Sequence, residues 1–362
     1  MSDVFQSSLK SIELQNFRNH KAIQFLDLGT EPVVITGKNG VGKTNILEAI
    51  SLLTASKGLR GAKISDLNNQ EDFEVIWKIK AQTRSIFGLK EIVTQRKVNI
   101  NGRADSRIVQ IDGQLIKKKA ELNDLLRVVW LTPPMQQLFI NASSERRSFF
   151  DQITTNFFPS HVTYLSKYEQ STRDRLRLLK QQNNDDYWLS ALESNMFNAG
   201  KEVCAARENT LALLVKAIEE NQSPFPKAII SLSDSTMADN FLDLIKRNRG
   251  LDAASGRTNL GPHSFDLNVI FKNKNMPAKL CSTGEQKALL LNLILAQVYA
   301  LIDKFQTIPI LLFDEIISHL DSVNRKSLLD EIMLIKAQSW FTGLDPKSFS
   351  QIDNAAKFVH LE

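Results

Sequence analysis

Cysteine is nearly absent from these 362 residues, and tyrosine and tryptophan are sparse, with four of each beside 20 phenylalanines. The two cysteines, Cys204 and Cys281, lie far apart, which excludes a disulfide framework and a cysteine zinc site. The five histidines show no metal-ligand spacing. Met1 to Lys10 lacks the apolar run of a signal peptide. The greasiest stretch, Ala288 to Ile302, is broken by Asn292 and Gln297 and is shorter than the roughly 20 residues a bilayer needs. It reads as a buried helix, and the chain as a cytoplasmic protein with no membrane partner. No repeat or low-complexity tract is visible. Neither charge dominates: 45 Lys and Arg face 40 Asp and Glu, a net +5 that is compatible with nucleic acid without establishing it.

What is present changes character along the chain. Leu9–Leu14 alternates like a half-buried strand, and Val33–Thr36 is a short β-branched run. Phe73–Lys80 and Glu91–Ile100 alternate again, around turn signals at Asn101-Gly102 and Asp112-Gly113. From about Ser143 to Lys216 the chain is polar-helical, with a break at Pro159. Pro224 and Pro226 close that section, and Asp252 to Pro262 reads as a loop. A strand-like Phe265–Lys272, an apolar helix near 285–302 and a buried-strand run Ile308–Phe313 follow. The pattern predicts an α/β fold: one lobe built from residues 1–142 and 262–362, with a mostly helical lobe, 143–261, inserted. No sustained heptad supports a long coiled coil.

The strongest local signal is Gly37-Lys38-Asn39-Gly40-Val41-Gly42-Lys43-Thr44, a match to G-x-x-x-x-G-K-[ST]. Glycines let the backbone turn its N–H groups into a phosphate-sized nest. Lys43 supplies charge to the β/γ-phosphates of ATP, and Thr44 a hydroxyl for Mg²⁺. Val33–Thr36 is the preceding strand. From Asn45, the following helix carries Ile46, Leu47, Ile50 and Leu53 on one face, so its positive N-terminus points at the phosphates.

Ile308-Pro309-Ile310-Leu311-Leu312-Phe313-Asp314-Glu315 is an apolar run ending in two acids, as a buried parallel strand looks when its C-terminal end carries a site. Asp314 is the candidate Mg²⁺ ligand and Glu315 the candidate base for the attacking water. Ser282-Thr283-Gly284-Glu285 opens the apolar helix. It reads as a capping box, and a capped N-terminus is also an anion site. Basic residues are less specific. Arg173, Arg177 and Lys180 fall on one helical stripe, with clusters at Lys117–Lys119, Arg146-Arg147 and Lys246-Arg247; each such cluster is more often a solvated face than a DNA contact.

Cys281 to Lys287 resembles the signature of ABC-type ATPases, in the order that class uses: P-loop, signature, acidic strand. Ser318-His319-Leu320-Asp321 resembles its D-loop. The sequence also resembles the RecF family of SMC-like ATPases. The residues that carry this are Asn16-Phe17-Arg18-Asn19 after the first strand, the P-loop run to Ile50, Glu145 to Asp151, and Gly261-Pro262-His263. Ser264-Phe265 stand where that family has Arg-Asp, and Trp340 to Gly343 offers only Thr342 where many ABC enzymes have a switch histidine. Gln136 and Gln137 are the Q-loop candidates.

The resemblance implies an ABC-type head whose cofactor contacts include Arg18, Asn45, Ser282, Gly284 and Asp321, the signature residues reaching ATP held by a second copy. It implies an ATP-dependent homodimer with weak hydrolysis. That dimer acts on single-stranded or gapped DNA in recombinational repair, replication and the SOS response, with RecO and RecR, to help load RecA. Another soluble ABC or SMC-like ATPase, working with a nuclease or other protein partner, is the alternative. A transporter ATPase fits least, because nothing points to a membrane partner.

Overall fold

The computed structural model describes residues 4–69, 71, 75–98, 105–181, 185–233 and 237–362. The chain forms two compact units: Met1–Gln137, Glu220–Lys227 and Ser282–Glu362 make the first, and Leu138–Glu219 with Ala228–Cys281 the second.

In the first unit, five strands form an all-parallel sheet in the order Lys357–Leu361, Val33–Gly37, Ser339–Gly343, Ile310–Phe313, Val128–Leu131. Four of the five are buried along their whole length, which is why they read as continuous apolar runs rather than alternating ones. A six-stranded antiparallel sheet lies in the same unit. Its longest strands are Ser8–Phe17, Lys78–Ser85 and Gly88–Lys97. The strand expected at Phe73–Lys80 begins instead at Lys78; Phe73 itself, and the turn at Asn101-Gly102, fall outside the described residues. Asp112 and Gly113 both have positive φ, the hairpin geometry that joins Ser106–Ile111 to Gln114–Leu115. Leu9, Leu47, Ile50, Trp77, Leu312 and Trp340 belong to one buried cluster between these layers. The apolar helix is Thr283–Phe305, long and apolar enough by composition to cross a membrane; 72% of its most apolar window is buried inside the fold. It is a core helix.

The second unit is built on the helices Ser143–Phe157, His161–Lys180 and Asp186–Glu220. It continues to Cys281 instead of stopping at 261, because Ala228–Ser233 pairs antiparallel with Asp266–Phe271. An ion pair binds this small sheet to the helices: Arg146 grips Asp266 with two bonds of 2.7 and 2.8 Å. Arg207 ties two of the helices together, holding Asp151 at 2.8 and 2.9 Å. Arg207 also covers the buried Phe265 ring at 3.8 Å, so the departure at Ser264-Phe265 puts an aromatic into the interior of this unit.

Candidate functional site

The P-loop joins the buried strand Val33–Gly37 to the helix Lys43–Ser51. Gly40 and Gly42 have φ of 87° and 97°, the left-handed backbone from which an anion nest is made. A side chain at Gly42 would meet Asn19 Oδ1 and His20 Nε2, each 2.4 Å from its Cβ. That closeness exposes what the sequence reading missed. The turn after the first long strand braces the P-loop from outside: Asn19 Nδ2 donates to Gly40 O, His20 Nε2 lies 3.1 Å from Gly42 O, and Asn45 Nδ2 donates to Asn19 Oδ1. Burial lowers the His20 pKa, against a smaller opposing effect of the Gly42 carbonyl, which keeps the ring a neutral N–H donor.

Lys43 is buried, and its ammonium donates to Gly37 O and Lys38 O at 2.7 and 2.9 Å. Glu315 Oε1 stands 3.9 Å from the same nitrogen. Thr44 Oγ1 donates to Asp314 Oδ1 at 2.7 Å. The parallel register Phe313↔Phe341 sets the next residue of the acid strand, Asp314, beside Thr342. The Thr342 hydroxyl donates to Asp314 Oδ1 at 2.8 Å and accepts the Glu315 N–H at 2.9 Å. Glu315 has φ 53°, a conformation that costs a non-glycine residue about 1 kcal/mol and needs such a local hold. The structure therefore brings Lys43, Thr44, Asp314 and Glu315 together, with Thr342 tying the two acids. A hydroxyl and a carboxylate oxygen, both hard donors, converge at the end of a phosphate-sized loop, a donor set that fits Mg²⁺. Gln136, in the short helical turn Pro133–Gln137 that follows the neighbouring strand Val128–Leu131, has a buried amide nitrogen with no partner among the described residues.

Other predicted residues lie apart from this cluster. Arg18 donates to both Glu48 oxygens at 2.9 and 2.8 Å and to Asp66 O at 2.8 Å, so its guanidinium is engaged on the P-loop helix rather than on the loop. Ser282 caps the helix Thr283–Phe305 in a reciprocal box with Glu285. Both Ser282 and Gly284 are exposed, and a side chain at Gly284 would meet open space. Lys287 ties this helix to His319 O, within the D-loop segment, at 2.7 Å. Asp321 is an exposed N-cap, accepting from the N–H groups of Val323 and Asn324, and its backbone bond from Asn324 lowers its pKa.

Comparison with known proteins agrees with this architecture. The RecF/RecN/SMC N terminal domain family model matches residues 8–361. The chain is 36% identical over 373 residues to the DNA replication and repair protein RecF of Rickettsia akari (strain Hartford), covering 100% of both. It is 37% identical over 366 residues to RecF of Agrobacterium fabrum, covering 98% of this chain and 96% of that one. Among solved structures, the recombination mediator protein RecF with ATPrS superposes with a TM-score of 0.81 at 24% identity, over 96% of this chain and 95% of that one. A Smc head domain from Pyrococcus furiosus reaches 0.51 at 19% identity, over 98% and 93%.

Proposed function

The chain belongs to the RecF family and is a RecF-like DNA repair protein, and from that premise we propose that it is an ATP-switched DNA-binding protein whose nucleotide site is completed by a second copy of itself. The observation that carries the reading is the convergence of Lys43, Thr44, Asp314 and Glu315 on one P-loop. Residues Gly37 to Asn45 would cradle the phosphates, with Lys43 moving from its two loop carbonyls to the β/γ-phosphate oxygens. Thr44 and Asp314 would hold Mg²⁺, which offsets phosphate charge. Glu315, partly exposed and held by its backbone, would orient and deprotonate the water. Gln136, with its orphaned amide, is the better Q-loop candidate of the two.

Ser282, Gly284 and Asp321 are exposed, and among the described residues none bonds to its own P-loop, which supports a role toward the γ-phosphate held by a partner copy. Arg18 serves the phosphates through the helix it grips. Weak hydrolysis would then release the dimer from DNA at single-strand gaps, where the family's RecO and RecR help RecA to load; the protein works in the cytoplasm. Lys43→Ala should lose binding of a fluorescent ATP analogue and the ATP-stimulated part of DNA binding, while Glu315→Gln should bind and turn over slowly. Near-normal nucleotide affinity in Lys43→Ala contradicts the reading.

A further inference from the structure

We infer that the groove between the helices His161–Lys180 and Asp186–Glu220 is a binding track for single-stranded DNA, and that the strand continues from it along the second helix to Trp188. The proposal rests on the DNA-binding reading above and assigns it a place in the second unit. The groove encloses about 800 Å³, and its walls include Tyr164, Lys167, Gln170, Asn195, Asn198 and Lys201. Trp188 and Asn195 are seven residues apart, hence on one face of their helix. Leu178 and Leu179 pack with Leu189 and Leu192, so the two helices stay in contact up to the level of Trp188. On the facing helix the wall runs from Tyr164 to Ser171, about 10 Å at 1.5 Å per residue, and Arg173 and Arg177 lie on the following turns of that helix.

The chemistry of the lining selects the occupant. Amide, hydroxyl and ammonium groups make up most of the lining side chains, beside the Tyr164 ring and the Ala199 methyl. Lys167 and Lys201 are exposed and make no ion pair among the described residues. Arg173 and Arg177 reach carboxylates of their own helix only at 3.9 Å, Arg173 also bonds Gln170 at 3.0 Å, and their side chains are 62% and 70% exposed. Lys167 and Lys201 stand in the groove beside Glu202, and Arg173, Arg177 and Lys180 follow on the turns beyond it, among Glu169, Asp174 and, at the Trp188 end, Asp185 and Asp186. Trp188 is 57% exposed and Tyr187 88%, a costly display for large rings that have no bases to stack on. Cations that follow a backbone, with aromatic faces at intervals, are what a sequence-tolerant single-strand site needs.

The test uses the full chain, a fluorescein-labelled oligothymidylate strand, and a duplex of equal length in ATP and Mg²⁺. Because Trp77, Trp130 and Trp340 are buried, quenching of tryptophan emission by the strand reports Trp188. Trp188→Ala should weaken strand binding about tenfold and abolish the quench. Lys167→Ala/Lys201→Ala should weaken it similarly and lower the salt dependence by roughly one unit of slope. Duplex binding should stay within about twofold of the wild type in both. Strand affinity unchanged in both variants overturns the inference while leaving the DNA-binding reading intact. Wild-type protein that binds neither strand nor duplex overturns both.

Discussion

Thr342 and Asp314 share a buried hydrogen bond of 2.8 Å, and the same hydroxyl accepts the Glu315 N–H. One side chain thus fixes the carboxylate that faces Thr44 and the backbone of the residue assigned as base. Thr342→Val keeps the shape but loses both bonds, each worth about 1.5–3 kcal/mol when a charged or buried group is left unpaired. ATP turnover should fall ten- to a hundredfold, with ATP affinity within about threefold of the wild type. Thr342→Ser should restore most of the rate. Steady-state kinetics checks this, and equal impairment in both variants would reduce Thr342 to packing.

Arg18 and Glu48 form a two-bond ion pair in which the carboxylate is almost fully buried. Arg60 reaches the same carboxylate at 3.3 Å but is itself well exposed. Arg18→Ala strands most of that charge, and we expect a loss of about 3 kcal/mol in stability together with weaker ATP binding, because Glu48 lies on the P-loop helix. Arg18→Lys should recover little, since an ammonium cannot make the paired bonds. Denaturant unfolding and nucleotide titration of both variants provide the check. A stable Arg18→Ala protein that has lost only ATP affinity would return Arg18 to direct contact with phosphate.

His263 gives the protein an acid-side weakness. Its Nδ1 accepts from the Tyr168 hydroxyl at 2.6 Å and its Nε2–H donates to Thr258 O at 2.8 Å, a pairing that uses the neutral ring. Burial lowers its pKa first, and the Thr258 carbonyl only partly offsets that. With the folded pKa below the unfolded value, the unfolded chain binds more protons in between, so stability falls as pH drops below about 6.5. His20 is shifted the same way and adds to the slope. Thermal melts between about pH 7.5 and 5.5 should show the loss, and His263→Gln should flatten it. An identical slope in the variant would exclude His263 as a source.

The parts of the site that were legible in the sequence are local in the chain. The P-loop, the apolar strand ending in Asp314-Glu315 and the Ser282 cap each depend on neighbours within a few residues, so spacing reveals them. The links between them were not legible. Thr342 joins the acids through a parallel register 28 residues away, and Asn19 and His20 reach Gly40 and Gly42 across a turn. Arg146 and Asp151 carry a family resemblance in sequence, yet their partners, Asp266 and Arg207, lie 120 and 56 residues away. The extent of the second unit was hidden for the same reason: Ala228–Ser233 is too short to announce the partner it pairs with.

The central claim is that ATP held by one copy is closed by Ser282 of another, so ATP and Mg²⁺ should drive monomer to dimer by mass action. A two-fold pairing would place both sites in one isologous interface, and a single change would damage both. Ser282 is exposed at the start of its helix, and among the described residues its side chain bonds only to Glu285. Ser282→Ala loses the cap, at about 1 kcal/mol, and should still dimerise. Ser282→Arg adds bulk and charge at the same place. Sedimentation with ATP and Mg²⁺ should find Ser282→Arg monomeric while its monomer binds nucleotide nearly as the wild type does. A Ser282→Arg protein that dimerises like the wild type would contradict the shared site.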